Sequence, residues 1–442
     1  MRLPLQVSSL AGRTLLGLLA CLSLTAFDAL GAASDAIAAD VSRLIGQLAS
    51  VELAAREGAE EQLVKLGPTA LPFLPSPTAR MPAETTERLA RVRQALEQAR
   101  ATRAASASLV TLQGTFRIEE LLKELSRQSG NAIVDRRAGE ATPTAENDPK
   151  LAVDFHDKPF WQALDEVLDR AGLDVDSYAS GAGLMIVPRA AGRLYRVRRA
   201  SYAGALRMEP VRFEALDDLR RPANRSLKLF VEVEWEPRLR PILISQSLQN
   251  VQATAGGQPL TIDGRGDISA PVGDGPAAVS LEIPLALPPR AIATVELLKG
   301  QLKVLLPADV EAFRFQFPKT KAVRGPKPQQ HKGVVTVTLD SVHKSGDAWE
   351  VEVSARFDDR TLAIDSYLIG WLLDNKATLE RDGRQPVVPA AMEQTRQTPK
   401  EVGVKYRFAI SESLAGWTLV YQTPTAVLEV PMDYQFTNLD LP

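Results

Sequence analysis

The stretch from Ser108 to Arg189 constrains the fold most, because its apolar pattern switches between helical and strand periods in the order strand, helix, strand, strand, helix, hairpin. Leu109 to Leu112 is a short apolar strand, and Thr115 can cap a helix whose positions Ile118, Leu121, Leu122 and Leu125 follow the 3.6-residue period. Gly130 ends that helix, since glycine tolerates the left-handed conformation that closes one, and Ile133 and Val134 then run extended. Leu151, Val153 and Phe155 alternate with Ala152 and Asp154, as in a half-buried strand. Pro159 suits a first helical turn, Phe160, Leu164, Val167, Leu168 and Ala171 form one stripe, and Gly172 stops it. Leu173 to Val175 and Leu184 to Val187 form a hairpin across Ser180 to Gly183.

The runs "FRIEELLKELSRQSGNAIVD", "LAVDFHDKPFWQALDEVLDRAGLDVD" and "GLMIVP" together resemble the secretin and TonB short N-terminal domain, a βαββαββ module of bacterial envelope proteins. The helix-Gly-Asn-Ile-Val turn, the Pro-aromatic-x-x-Ala-Leu start at Pro159 to Leu164 and the Leu-x-x-Ala-Gly-Leu end at Leu168 to Leu173 carry the resemblance, over residues 108–189. The loop from Arg136 to Lys150 is longer and more acidic-polar than in that family, and neither a secretin pore domain nor a receptor barrel is readable after it. The resemblance implies an adaptor that docks partner proteins or ring neighbours and has no catalytic residues to transfer.

The ends of the chain imply export. Residues 1–33 place Arg2 and Arg13 before an apolar run from Leu15 to Phe27 and the small residues Gly31, Ala32 and Ala33, the layout of a secretory signal peptide. The single cysteine, Cys21, lies within that run, so lipoprotein cleavage there is the alternative to cleavage near Gly31 to Ala33. A periplasmic or secreted protein without disulfides is expected. No later stretch is apolar for long enough to span a membrane. The formal net charge of −2 over 442 residues argues against nucleic-acid binding.

Residues 34–105 read as helical. Ile37, Val41, Leu44, Ile45 and Leu48 share one stripe, a second helix runs from Leu53 to Leu66, and a third runs from about Thr86 to Ala101. The phrase "SVELAAREGAEEQLVKLGPTALPFL" resembles one HEAT-type repeat. Arg80, Arg88, Arg91, Arg93, Arg100 and Arg103 are expected on the solvated face of the third helix.

From residue 190 the period becomes two, in two sets separated by a Lys- and Pro-rich linker at 319–332. The first, at 190–318, includes Leu227 to Trp235, Val279 to Leu285 and a closing run of Phe313, Phe315 and Phe317. The second, at 333–442, includes Val335 to Leu339, Trp349 to Phe357, Val402 to Ile410 and Ala426 to Phe436. "VEVEWEPRLRPILIS" parallels "VEVSARFDDRTLAID", "GGQPL" parallels "GRQPV", "VSLEIPLAL" parallels "VGVKYRFAI" and "KVLLPADVEAFRF" parallels "AVLEVPMDYQF", in the same order. The chain is therefore expected to be multidomain α+β: a helical N-terminal piece, a βαββαββ adaptor and two tandem antiparallel β-sandwiches related by duplication.

No residue set reads as catalytic. His156, His331 and His343 are not at metal-ligand spacing, and no cofactor is implied. Asp165 and Asp169, which could be drawn into a carboxylate pair for glycoside hydrolysis, are expected on a solvated helix face instead. The feature that stands out is an arginine excess between Pro188 and Arg225, with Arg193, Arg196, Arg198, Arg199, Arg220 and Arg221 as candidate contacts for an anionic partner. The other reading is a solvated linker and an edge strand decorated with arginine against aggregation. Trp371 and Trp417 offer a carbohydrate-stacking surface unless they are core. The expected function is a non-catalytic envelope scaffold that binds an envelope protein or anionic polymer. The alternatives are a cell-wall or extracellular polysaccharide binder and, more remotely, a hydrolase.

Overall fold

The computed structural model describes residues 35–75, 81–137, 148–179, 183–194, 199–221, 225–272, 276–317, 327–333, 335–357, 375–398 and 401–442. The signal-like segment with Cys21, the hairpin turn at 180–182, Arg80, Arg196, Arg198 and Trp371 lie outside them. The chain divides into two compact units, residues 1–100 and 101–442.

In the first unit, helix α1 (35–48), α2 (Leu53–Lys65), a 3-10 turn (Pro68–Phe73) and the body of α3 (Ala83–Ala105) enclose a small apolar core. Val41, Leu44 and Leu48 meet Ala59, Leu63, Leu71, Leu89, Val92 and Leu96 there. Among the arginines of α3, Arg91 and Arg103 are exposed, but Arg88 and Arg93 differ from expectation. Arg88 is buried and pairs with Glu60 at 2.7 Å, Arg91 pairs with the same carboxylate at 2.8 Å, and Arg93 donates to the carbonyls of Leu74 and Pro75. They tie α3 to α2 and to the 3-10 turn, because each long arginine can lay its stem on the core and turn its head to a fixed acceptor.

In the second unit the expected order of elements is present. Strand β1 (Leu109–Arg117), α4 (Ile118–Ser129), β2 (Ile133–Asp135), β3 (Lys150–Pro159), α5 (Phe160–Ala171), β4 (Leu173–Asp176) and β5 (Leu184–Pro188) follow one another. β1 pairs antiparallel with β3, while β2, β5 and β4 form a separate three-stranded sheet with β2 parallel to β5. Ile118, Leu121, Leu122 and Leu125 of α4 and Phe160, Leu164, Val167 and Leu168 of α5 share a core with Val153 and Phe155. Gly130 and Gly172 close the helices at φ 72° and 68°. The first helix of the module starts two residues later than its Thr115 cap implies: β1 runs on to Arg117, whose backbone N–H donates to Glu120 at 2.9 Å.

The remaining strands are β6 (Ser201–Ala203), β7 (Leu206–Asp217), β8 (Arg225–Trp235), β9 (Leu243–Ser247), β10 (Gln252–Ala255), β11 (Gln258–Leu260), β12 (Asp267–Pro271), β13 (Ala278–Leu285) and β14 (Thr294–Gln316). They continue as β15 (Gln329–Lys332), β16 (Val335–Ser345), β17 (Ala348–Phe357), β18 (Ala377–Glu380), β19 (Ala391–Thr398), β20 (Glu401–Phe408) and β21 (Thr418–Asp440). One sheet has the order β13-β8-β7-β6 and another the order β15-β16-β17-β20-β19. A third, β11-β10-β14-β21-β18 with β9 and β12 attached, backs both. The order β13-β8-β7 repeats as β20-β17-β16, and β10 on β14 repeats as β18 on β21. This is the duplication legible in the sequence.

The two copies exchange their last strands. β14 and β21 each run 23 residues and pair along their length. At about 3.4 Å per residue such a strand is far longer than one sandwich. Leu298, Leu302, Val304 and Leu306 fill the first core, yet Phe313 and Phe315, expected to close it, lie in the second. Conversely, Leu419 and Tyr421 belong to the second core, whereas Val430, Met432, Tyr434 and Phe436 cross into the first. Register breaks at Pro307/Asp309 and Asp309/Val310 separate the halves, and the buried positions of each strand change parity there.

The Glu60 cluster carries a pH dependence. Hydrogen bonds from Arg91, joined by Arg88 against an opposing effect of burial, hold the Glu60 carboxyl below its ordinary value of 4.5. A depressed folded value stabilises the unit above the unfolded value, and that contribution is lost as pH falls through the folded one. The protection factors of α2 and α3 amides, corrected for the intrinsic pH dependence of exchange, should therefore fall on acidification below about pH 4.5, and Glu60→Gln should flatten that slope. Parallel slopes in the two proteins would contradict the assignment.

Candidate functional site

The chemistry concentrates where the α/β module meets the first sandwich. Arg207, on β7, has no exposed surface, and its guanidinium lies between Asp165 of α5 and Glu234 of β8, both buried. Its Nε donates to Glu234 Oε2 at 2.5 Å, and Nη1 donates to Asp165 Oδ1. Tyr202 Oη donates to the other Asp165 oxygen at 2.8 Å, and the Ser177 hydroxyl donates to Glu234. The plane of Arg207 lies over the Trp161 ring at 4.2 Å, and the indole N–H donates to the Ala205 carbonyl at 3.1 Å. Burial alone would weaken the Arg207 charge, but the charges of Asp165 and Glu234 outweigh it and raise its pKa. Burial, together with the Asp165 charge, pushes the Tyr202 phenol up as well, so it stays a donor.

A second buried cluster lies beside it. Glu236, fully buried, accepts from the Ser108 N–H at 2.9 Å, the Asn131 amide at 2.9 Å and Arg238 Nε at 2.7 Å. Arg238 Nη1 reaches the Ala104 carbonyl at 2.8 Å, and the Ala205 N–H donates to the Ala105 carbonyl at 2.7 Å. Gly204, at φ 54°, permits this approach: a Cβ there would sit 2.2 Å from the Ala105 oxygen.

Asp165 and Asp169, expected on a solvated face, are therefore buried. One face of α5 packs on its own sheet and the opposite one is covered by the first sandwich and by Arg189, which pairs with Asp169. Part of the arginine excess is engaged in ion pairs at the surface. Arg193 bonds Asp174 at 2.9 Å, Arg212 pairs with Glu214 at 3.1 Å, and Arg225 pairs with Asp217 at 3.5 Å. Of the candidate contacts, Arg193, Arg199, Arg220 and Arg221 are exposed. Trp417 is core of the second sandwich, 2% exposed, and offers no stacking face.

With the α5 side occupied, the open part of the module lies along α4 and β2. Glu119, Leu122, Lys123, Ser126, Arg127, Ile133 and Asp135 line a hollow of about 500 Å³. Lys123 pairs with Glu119 at 2.6 Å and Asp135 with Arg137 at 2.6 Å, so its rim charges are positioned before any partner arrives. Among the described residues β2 pairs only with β5, which leaves its other edge as a place where an extended segment can add. Sequence reasoning missed this hollow because neither α4 nor β2 carries an unusual residue. Among the described residues no group of three His, Cys, Asp or Glu side chains could hold a metal. No described helix is long and apolar enough to cross a membrane. The chain matches no family model, no curated protein and no solved structure.

The buried cluster has a double-edged energetic signature. Arg207→Met leaves two buried carboxylates uncompensated and should destabilise the second unit by about 3–5 kcal/mol. Replacing all three charges together with apolar side chains of similar volume should restore most of that loss. Denaturant unfolding of the full chain measures both. A single variant within about 0.5 kcal/mol of the parent would mean the charges are not buried together.

Proposed function

We propose that this protein is a non-catalytic scaffold of the bacterial cell envelope, periplasmic or secreted, that captures an envelope protein on the α4–β2 side of its α/β module. The hollow between α4 and the open edge of β2 carries this reading, because it joins an apolar floor at Leu122 and Ile133 to a ready edge for strand addition. The buried Arg207 and Glu236 clusters support it from behind. They fix the module on the first sandwich, so binding on α4–β2 need not order a loose domain. The resemblance of residues 108–189 to the secretin and TonB short N-terminal domain and the signal-like residues 1–33 support the compartment and the adaptor role.

Photocrosslinking in intact cells tests it. A photoreactive residue at Lys123 or Arg127 should trap one discrete protein partner, whereas one at exposed Gln258 on β11 should not. Lys123→Glu with Arg127→Glu should reduce capture while leaving unfolding unchanged, since exposed charges contribute little to stability. Equal trapping from all three positions, or none from Lys123 and Arg127, would reject the α4–β2 site.

A further inference from the structure

Lysines on the strands of the two sandwiches are nearly all matched. Lys228, Lys303, Lys332 and Lys405 pair with Glu282, Glu429, Glu311 and Glu393, and Lys344 donates to the Ser411 carbonyl. Among the described residues Lys299 of β14 is the strand lysine of the sandwiches that has no such partner.

Lys299 lines a hollow of about 380 Å³ on the sheet that backs both sandwiches. Opposite it across the ladder lie Gln252 of β10 and Gln435 of β21, and Gln301 lies opposite Asp433. Paired residues share a face of the sheet, as do residues two apart, so these five side chains rise from one surface in two rows. Leu298, Leu302, Met432, Tyr434 and Phe436, which alternate with them, belong to the first core on the opposite face. Strand spacing makes the first row about 10 Å long and sets the rows about 7 Å apart. Asn250 stands at the β10 end of the hollow, and Ser201, whose Oγ accepts the Gln435 N–H at 3.2 Å, at the β21 end.

These groups are largely uncommitted. Gln301 Nε2 donates to Asp433 Oδ1 at 2.8 Å, which leaves the second carboxylate oxygen and the Gln301 carbonyl open. Asn250, Gln252, Lys299 and Gln435 make no side-chain hydrogen bond or ion pair among the described residues. Each carboxamide supplies both a donor and an acceptor, the ammonium supplies donors and the carboxylate acceptors. One ammonium against one carboxylate gives no net charge, so the hollow does not suit an anion. No aliphatic side chain lines it, so it does not suit an apolar anchor. It matches a ligand that carries donors and acceptors along its whole length, as the hydroxyl groups of a sugar chain do.

We propose that this hollow binds a short stretch of an uncharged glycan, with Gln252, Lys299 and Gln435 bonding one edge of the sugar and Gln301 and Asp433 the other. The sheet ladder fixes the spacing of both rows, so little ordering accompanies binding. The site is independent of the α4–β2 hollow, shares no residue with it and uses no tryptophan platform.

Titration of the full chain with two uncharged tetrasaccharides, one of glucose and one of N-acetylglucosamine, followed by saturation-transfer NMR, tests it. At least one should bind saturably and with little change as salt rises, because the ligand carries no charge to screen. Which one binds separates a plain glucan from an N-acetylated cell-wall chain. K299M should weaken binding about tenfold, the loss of one hydrogen bond from a charged donor. Q252A with Q435A should weaken it by about tenfold or more, the loss of two neutral ones. K303M, on the same strand but outside the hollow, should bind like the parent. The proposal is overturned if neither tetrasaccharide binds the parent chain saturably, or if K299M and the double variant both bind like the parent. A loss in K303M as large as that in K299M would overturn it too.

Discussion

A guanidinium withdrawn from water between two carboxylates holds the α/β module against the first sandwich. Arg207 belongs to the first sandwich, Asp165 to the α/β module, and Glu234 to the neighbouring strand of the sandwich. Such a cluster adds little net stability over a well-packed apolar contact, because desolvation offsets most of the attraction. What it adds is a unique pose. Sliding α5 by one turn would separate Asp165 from Arg207 and leave both buried without a partner. Trp161, stacked on Arg207 and bonded to Ala205, and the Glu236 cluster around Asn131 and Arg238 impose the same pose from two further directions. The α4–β2 hollow inherits its orientation from them.

The second constraint is the β14–β21 ribbon. A duplicated sandwich could have been two beads on a linker, but each copy gives half of its last strand to the other. Neither core is complete without both long strands, so residues 101–442 are one compact unit despite containing a module and two sandwiches.

Much of this was legible in sequence, and the failures have a common cause. The stripes of α4 and α5, the closing glycines at 130 and 172 and the four internal parallels all depend on neighbours close in the chain, or on comparison of one half with the other. Asp165 was misread because a helix covered on two sides shows a polar stripe that looks like a solvated face, and its partner is 42 residues away. Arg88 was misread for the same reason, since an arginine in a basic run gives no local sign that its charge is already matched. Phe313 and Phe315 were assigned to the wrong core because alternation continues through the register break, and only the partner strand shows where the parity changes. The hollow between α4 and β2 had no signal at all, being made of ordinary residues brought together by the turn at Asn131.

The central claim, that the α/β module and the first sandwich form one rigid body, is tested most directly by a distance distribution between spin labels at Lys123→Cys on α4 and Lys228→Cys on β8, with Cys21 replaced by serine. Both native side chains are largely exposed, 74% and 41%, so labelling need not disturb the buried clusters. The structure predicts one narrow distance, unchanged at high salt because the clamping charges are shielded from it. A broad distribution, or two distances that exchange weight with salt, would show that the module swings free and that Arg207 does not hold it.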